Sequence, residues 1–545
     1  MKARLLELLS EHGVFAEPEV IDYLAARDSP VDYCNQLLRA EAEPPLFLNM
    51  EMVKHLEDAL LRRSQAPTKE EPSGTDDKGL PLARASIISE SPDTQLGPLP
   101  SKAATTVGPP PAFRPSQRSS DALPEKERTS LGLLAPGFEP QAMRFDGDIR
   151  VLKDITGNST CVGEMSDFTF YFKSRYQKIR RLLKSRSEFR SSASIEYIKD
   201  KKQKGEIKVV GMVSDVRSAP WGGIIIKIED DTAEMDATLG KDEFVVKDEV
   251  LGLIGKLDEK YMSVRVKTIV RPEFTTMRAP KRAKDPVLAM FLSDMHVGSK
   301  AFLAKEWRSF IKWLNGHIDA QRNLASGIKY IVISGDLVDG IGIYPGQEEE
   351  LEIKDIYAQY EEVARQLSDI PGHINIIVLP GNHDAVRPAE PQPTFPSEIT
   401  KLFTKNCTFV GNPCAFTLHG VEILAYHGRS MDDLIPAMKL KYDEPAEVMK
   451  WMLNMRHLAP IYGDRTPLAP EKEDLMVIER IPDIFVTGHI HKTDIKTYRS
   501  VLLIQASAWQ SQTTFQKMMN LVPDPAKAIV VDLQNMNTKV LDFAG

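Results

Sequence analysis

The chain has 545 residues, 42% of them hydrophobic, and a formal net charge of −8, so its length predicts about three to four domains with sizeable cores. This net negative charge does not indicate a nucleic-acid-binding protein, so any binding of nucleic acid must depend on a local basic patch. The four cysteines form no CxxC pair, which excludes a disulfide framework and a zinc finger. Because we find no signal peptide and no run of about 18 apolar residues, we expect a cytoplasmic protein without a membrane partner.

The first 136 residues are predicted to contain two contrasting segments. In residues 1–63, apolar side chains recur at helical spacing, as in Val20, Ile21 and Leu24, which predicts a small helical accessory domain. Residues 64–136 are rich in Pro, Ser, Gly and charge and almost free of aromatic residues. Such a composition buries too little surface to offset chain entropy, and we interpret it as a disordered linker.

Residues 137–204 are predicted to form a basic helical connector. Between Lys173 and Arg190 there are eight Lys or Arg residues and a single acid, Glu188, on a segment that also has an apolar face. Such a helix can bind phosphates, and the candidates for contact with nucleic acid are Lys178, Arg180, Arg181 and Lys184. The alternative is that these charges are only the solvated face of a packing helix.

Residues 205–275 alternate apolar and polar side chains over about five short runs, which predicts an OB-type β-barrel. Barrels of this type commonly bind single strands through stacking aromatic residues and basic grooves. Trp221 and Tyr261 are the candidate stacking residues. Such residues are sparse, and a barrel that only positions the neighbouring catalytic domain is the alternative.

Residues 285–545 alternate strands and helices, which predicts a layered α/β domain whose β-sandwich is flanked by helices. Five apolar strand-like runs in this segment each end in Asp, Asn or His, usually with Gly beside them. They are FLSDMHVGSK at 291–300, IVISGDLVDG at 331–340, IIVLPGNHD at 376–384, ILAYHGRS at 423–430 and IFVTGHIH at 484–491. Five strands that deliver polar residues to one edge of a sheet would build a site there.

The polar residues at these strand ends are the ligands that hard divalent metals such as Mn²⁺ prefer. They are Asp294, His296, Asp336, Asn382, His383, His427, His489 and His491. Any one of these motifs alone is common in turns, but the ordered set is difficult to explain as packing, since buried imidazoles and carboxylates need partners. Hydrolysis of a phosphodiester by two metals needs a bridging carboxylate, and an Asp at the end of a central strand meets that need.

The pattern DxH…GD…GNHD…H…GHxH resembles that of the calcineurin-like metallophosphoesterases. The resemblance implies a first metal bound by Asp294, His296, Asp336 and His491, and a second bound by Asp336, Asn382, His427 and His489. It further implies that His383 is the catalytic histidine that stabilises or protonates the leaving oxygen, and that Asp384 orients His383.

Longer segments, among them GDLVDGIGIYPGQEEELEIKDIYAQYEE and SAWQSQTTFQ, resemble the small subunit of archaeal family D DNA polymerase. This resemblance implies a 3′→5′ exonuclease that uses two divalent ions, with Mn²⁺ the expected metal, and proofreads for a separate large catalytic subunit. DNA, the large subunit and a sliding clamp are the implied partners. The acidic loop Gly340–Glu350 would repel a phosphate backbone, and we expect it to make partner or structural contacts.

Two other functions are compatible with the sequence. The chain could be a non-catalytic scaffold subunit of the polymerase, although its complete ligand set argues against that as its sole role. It could also be a phosphatase acting on small molecules or proteins, which the barrel and the longer segments disfavour.

Overall fold

The computed structural model describes residues 4–5, 15–16, 18–27, 29–38, 47–48, 53–54, 133–241, 243–274 and 278–544. The chain divides into two compact units, residues 1–110 and residues 111–545. Within the described residues, no helix is both long and apolar enough to cross a membrane.

The first unit contains helices α1 (Pro18–Ala25) and α2 (Pro30–Leu38) and a short parallel pair of strands, β1 (Phe15–Ala16) and β2 (Phe47–Leu48). The predicted helical repeat lies in α1, where Val20, Ile21 and Leu24 are buried. Most of the predicted linker, residues 64–132, lies outside the described residues.

The second unit holds the remaining described helices and strands. The helices are α3 (Met165–Lys184), α4 (Ile195–Lys201), α5 (Ala304–Leu314), α6 (Arg322–Ser326), α7 (Ile356–Ser368), α8 (Ser397–Thr400), α9 (Met431–Ala437), α10 (Pro445–Met455) and α11 (Thr514–Met518). The strands are β3 (Ile149–Lys153), β4 (Glu206–Ser218), β5 (Ile224–Glu229), β6 (Glu234–Leu239), β7 (Val250–Asp258), β8 (Ser263–Val270), β9 (Leu288–Leu292), β10 (Ile328–Ser334), β11 (Asn375–Leu379), β12 (Cys407–Phe409), β13 (Cys414–Leu418), β14 (Val421–Ala425), β15 (Ile484–Thr487), β16 (Asp494–Tyr498), β17 (Val501–Gln505), β18 (Lys527–Asp532) and β19 (Thr538–Asp542).

Two mixed six-stranded sheets form the body of this unit. The first has the order β12-β11-β10-β9-β18-β19, and the second has the order β16-β17-β15-β14-β13-β3. Apolar side chains of both sheets, including Phe291, Val332, Phe416 and Ile504, share one buried core. A second core packs α5 and α7 against the first sheet, and a third packs α9 and α10 against the second. This is the predicted layered sandwich flanked by helices, and the predicted fold class is confirmed.

A closed five-stranded barrel precedes the sandwich, with strand order β4-β5-β6-β8-β7, as predicted for this part of the chain. Its alternating apolar side chains, among them Val209, Ile226 and Leu253, fill the interior. The segment predicted as a connector also contributes to the sandwich, because β3 pairs with β13 at the edge of the second sheet.

Strand direction explains why the polar residues gather. β9, β10 and β11 run parallel in the first sheet, and β14 and β15 run parallel in the second. Every residue of β10 is buried, which is typical of a parallel strand covered on both faces. The carboxyl ends of parallel strands meet at one edge of a sheet, and the loops that follow them carry the predicted site.

Candidate metal centre

One group of potential ligands joins the loops after β9 and β15. Asp294, His296 and His491 are buried, and one ligand atom from each lies within 4.8 Å of the others. The Nε2 atoms of His296 and His491 are 3.1 Å apart. Asp294 Oδ1 lies 3.3 Å from His491 Nε2 and 3.7 Å from His296 Nε2.

A second group joins the loops after β10, β14 and β15. Asp336, His427 and His489 each place one ligand atom within 4.8 Å of the others. His427 Nε2 lies 3.3 Å from Asp336 Oδ2 and 2.9 Å from the side-chain oxygen of Asn382. The structure therefore brings Asn382, from the loop after β11, to this same group.

Asp336 stands between the two groups. Its Oδ2 atom is 3.3 Å from His427 in the second group and 3.8 Å from His296 in the first. The same oxygen is 4.0 Å from Nε2 of His383. Because its other oxygen, Oδ1, accepts from the main-chain N–H of His383 at 2.8 Å, the carboxylate is held in one orientation.

Asp339 is a buried residue outside the predicted ligand set, and it orients two of the histidines. Its Oδ1 lies 3.1 Å from His296 Nδ1, and its carbonyl oxygen accepts from His383 Nδ1 at 2.7 Å. The amides of Gln510 and Gln347 donate to its carboxylate at 2.8 and 3.1 Å. Two features of the sequence could have indicated the role of Asp339. It lies three residues after Asp336, and its partner Gln510 lies in the WQSQTTFQ segment. Because Gln347 belongs to the acidic loop Gly340–Glu350, its hydrogen bonds to Asp339 make that loop a structural part of the site.

The histidines after β15 have further partners that were not predicted from the sequence. His489 Nε2 lies 2.9 Å from Asp432 Oδ2, and His491 Nδ1 lies 2.9 Å from the amide nitrogen of Gln516. Asp432 lies in the first turn of α9 and Gln516 lies in α11, so both helices hold these histidines in place. A carboxylate such as Asp432 fixes the orientation of an imidazole and raises its basicity, whereas the amide nitrogen of Gln516, which is a donor, fixes the orientation of the ring only.

The predicted role of Asp384 needs a correction. Its carboxylate accepts from the main-chain N–H groups of Gly381 and Leu337 and from the hydroxyl of Tyr360, at 2.9 to 3.3 Å. The ring of His383 is instead held by the carbonyl of Asp339. Asp384 therefore secures the turn that carries Asn382 and His383 and does not orient the ring directly. Burial and the charge of Asp336 raise the pKa of Asp384 to about 7.

The electrostatics of the site couple carboxylates to imidazoles. Burial acts to raise the pKa of Asp336, but the positive charges of His427 and His383 outweigh it and hold that pKa below its usual range. Burial acts to lower the pKa of His296 and His427, yet the neighbouring carboxylates of Asp294 and Asp339 in the first case, and the charge of Asp336 in the second, raise each pKa to about 10. For His383, burial prevails and lowers the pKa.

The backbone of the site is strained in a regular way. Asp294, His296, Asp336, His489 and His491 all have left-handed conformations, with φ between 51° and 72°. Such conformations cost about 1–3 kcal/mol each in non-glycine residues and cluster at functional sites. These conformations orient the five side chains toward the candidate site at a cost in the local stability of the loops.

Two glycines allow the ligand loops to meet. A Cβ atom on Gly381 would lie 2.2 Å from Asp336 Oδ1, and one on Gly488 would lie 1.9 Å from the hydroxyl oxygen of Ser293. Each glycine thus admits a side chain from another strand end, in the case of Gly488 from a strand of the other sheet, which was not predicted from the sequence.

The donor set fits divalent metal ions. Asp294 Oδ1 is buried and has no hydrogen-bond partner, although such an orphaned carboxylate oxygen is costly unless a cation compensates it. The seven predicted ligands offer carboxylate and amide oxygens and imidazole nitrogens, without a thiolate. This is the chemistry of Mn²⁺ and similar ions.

The predicted contacts with nucleic acid differ in their surroundings. The Lys178 ammonium pairs with Glu473 at 2.6 Å and Glu479 at 3.0 Å, and its side chain is only 11% exposed. The prediction that Lys178 contacts DNA is therefore corrected, because its charge is used to join α3 to the loop before β15. Arg181 and Trp221 are exposed, Lys184 is half-buried, and Arg180 lies 3.8 Å from Asp231.

Known proteins are similar to this chain in sequence. A family model for the B-subunit of DNA polymerases alpha and epsilon matches residues 289–496. The chain is 47% identical to the DNA polymerase II small subunit of Archaeoglobus fulgidus, covering 70% of this chain and 78% of that protein. It is 34% identical to the DNA polymerase II small subunit of Halobacterium salinarum, covering 99% of both. A solved archaeal phosphodiesterase shares 11% identity over 47% of this chain and 99% of its own, with a TM-score of 0.23, a likeness too weak to bear on activity.

Proposed function

This chain belongs to the family of archaeal DNA polymerase II small subunits, and from that premise we propose that it is a metal-dependent 3′→5′ exonuclease. Its substrates are single-stranded DNA and mismatched primer ends. It proofreads for a separate large subunit that carries out DNA synthesis, and it works in the cytoplasm, with a sliding clamp as a further partner.

The observation that carries the proposal is the position of Asp336 between two groups of ligands. One carboxylate oxygen faces both His296 and His427, at 3.8 and 3.3 Å. Asp294 and His491 complete the first group, while Asn382 and His489 complete the second. Two ions that share Asp336 would satisfy the orphaned oxygen of Asp294 and the facing imidazole nitrogens together, and Mn²⁺ suits this donor set.

Two divalent ions held by these residues would activate a water molecule and stabilise the charge that develops on the phosphate. The protein's own residues hold the remaining group. His383 donates from Nδ1 to the carbonyl of Asp339, which leaves Nε2 facing the site. A bound phosphodiester brings negative charge next to this ring and favours its protonated form, in which Nε2–H can donate to the leaving oxygen.

The test is degradation of a single-stranded oligonucleotide labelled at either end, with Mn²⁺, by the wild type and by His383→Ala. We expect stepwise shortening from the 3′ end by the wild type and a strong loss of cleavage in the variant, whose content of bound Mn²⁺ is unchanged. The assay is repeated with the large subunit present. Absence of cleavage in both settings would leave the alternative, a non-catalytic scaffold subunit.

A further inference from the structure

The cavity at the metal centre extends well beyond the ligands. Its volume is about 630 Å³, and His296, Asp336 and Asn382 line one part of it. Another part is a wall of apolar side chains contributed by Ile343 and Tyr344 from the loop after β10, and by Phe515, Met519 and Val522 from α11 and the residues that follow it. This apolar wall plays no part in binding metal. Its position beside the candidate metal-binding residues favours a bound molecule that has an apolar part.

The wall contains an aromatic pair that is partly open to solvent. The rings of Tyr344 and Phe515 are stacked, with centroids 5.8 Å apart and planes inclined by 25°. Phe515 is 45% exposed, and Ile343, Met519 and Val522 are exposed as well. An exposed apolar surface that lines a polar cavity marks a binding site more often than a packing defect.

Both aromatic residues are tied to the metal centre through their neighbours. Gln347 accepts from the main-chain N–H of Ile343 and donates to Asp339, which in turn holds His296 and His383. Gln516, next to Phe515 in α11, lies 2.9 Å from His491. The wall therefore keeps a fixed position relative to the ligands, as is required of a surface that positions a reacting group.

Another part of the cavity is lined by three basic residues together with two carboxylates, those of Asp432 and Asp443. Arg429 and Lys441 line it, and Lys441 is exposed. Lys492 also lines it and is paired with Asp443 at 2.9 Å. Basic side chains in one part of the cavity and aromatic rings in another match the two chemical halves of a nucleotide, its phosphate and its base.

We propose that the Tyr344–Phe515 wall stacks against the terminal nucleobase of the strand being cut, an assignment that rests on the proposed exonuclease function. Every base has a π-face, so the wall accepts all four bases without hydrogen-bond readout. A base must leave its duplex to stack there, and a mismatched end does so at the smallest cost. The wall thereby selects unpaired ends for cleavage.

The first experiment measures stacking without catalysis. A single-stranded oligonucleotide with 2-aminopurine at its 3′ end is mixed with the protein in EDTA, and both fluorescence anisotropy and 2-aminopurine intensity are recorded. We expect quenching on binding to the wild type and to Met518→Ala, and little quenching with Phe515→Ala. Met518 is the matched control, because it lies in the same helix, is 72% exposed and does not line the cavity. Equal quenching by Phe515→Ala and the wild type would overturn the proposal.

The second experiment compares cleavage of an oligonucleotide that ends in a normal nucleotide with cleavage of one that ends in an abasic site. Loss of one stacked base costs about five- to 160-fold in affinity, so the wild type should show a KM higher by a factor in that range for the abasic end. In Phe515→Ala the two KM values should converge, and Phe515→Trp should restore the difference. A ratio unchanged in Phe515→Ala would refute base stacking while leaving the exonuclease in place, whereas a wild type that cuts neither end, both alone and with the large subunit present, would refute the exonuclease itself.

Discussion

His383 donates from its Nδ1 atom to the main-chain carbonyl of Asp339 over 2.7 Å, and the side chain of the same Asp339 lies 3.1 Å from Nδ1 of His296. A residue outside the predicted ligand set thus orients both the proposed catalytic histidine and a proposed metal ligand. The buried amides of Gln347 and Gln510 hold the carboxylate in turn.

Asp339→Asn should weaken metal binding by about ten- to a hundred-fold, the usual effect of removing a residue that orients a ligand. The asparagine retains the shape but loses the negative charge that favours a ligating His296. Isothermal titration calorimetry with Mn²⁺ measures the change. Asp319→Asn, at an almost fully exposed side chain, is the control. An affinity equal to that of the wild type would show that His296 does not depend on Asp339.

Asp336→Ala should remove both ions and abolish cleavage, because its carboxylate is the group shared by the two sets of ligands. Metal content after dialysis against Mn²⁺, determined by mass spectrometry, should fall from two ions per chain to less than one. Asp319→Ala should retain both ions. Two ions in the Asp336 variant would contradict the shared position.

Metal binding should release protons and weaken as the pH falls. In the metal-free protein His296 and His427 have pKa values raised to about 10, so both imidazoles are protonated at pH 8, and an ion must displace those protons to bind. The apparent affinity for Mn²⁺ should therefore decrease between pH 8 and pH 6. Calorimetry in two buffers with different heats of ionisation counts the released protons. No release at pH 8 would show that these imidazoles are already neutral.

Arg175→Leu should destabilise the protein by about 3–5 kcal/mol, because it leaves a buried charge unpaired. Arg175 Nε donates to Asp474 Oδ2 at 2.8 Å, and both side chains are fully buried. Denaturation by urea, followed by circular dichroism, measures the loss in free energy of unfolding. Arg190→Leu, at an exposed position, is the control.

The same variant should lose less stability at pH 5 than at pH 8. His457 also contacts Asp474, at 2.8 Å, and burial together with the charge of Arg175 lowers its pKa to about 4. Removing Arg175 raises that pKa, so at pH 5 a protonated His457 replaces the missing cation. A loss of stability independent of pH would rule out this compensation.

Arg180→Ala combined with Arg181→Ala should weaken binding of single-stranded DNA and reduce its salt dependence by about 0.7 for each phosphate interaction that is removed. Anisotropy titrations between roughly 50 and 200 mM salt provide the slope. Lys178→Ala should leave the slope unchanged, because that ammonium is paired with Glu473 and Glu479. An unchanged slope in the double variant would make the helix a packing element only.

The polar residues that gather at the strand ends could be predicted because their signal is local. An apolar run that ends in Asp336 or His427 predicts both a buried strand and the polar side chain at its carboxyl end. The interior of the barrel was predictable for a similar reason, since a period of two in the sequence is the period of a strand. Helix α3 shows where such reasoning stops: its basic pattern was visible, but the pattern does not show which charges face solvent.

The sequence by itself determined the layered sandwich, the barrel and the set of polar residues at the strand ends that are proposed to bind metal, because each depends on short-range periodicity and residue type. Only the tertiary structure decided that Asp339 orients His296 and His383, that Asp384 secures a turn, and that Lys178 is used in ion pairs. The physical reason is that the role of a charged or hydrogen-bonding side chain depends on which group lies next to it. Those partners lie on elements far apart in the chain, such as Lys178 and Glu473, and meet only once the sheets and the barrel have packed.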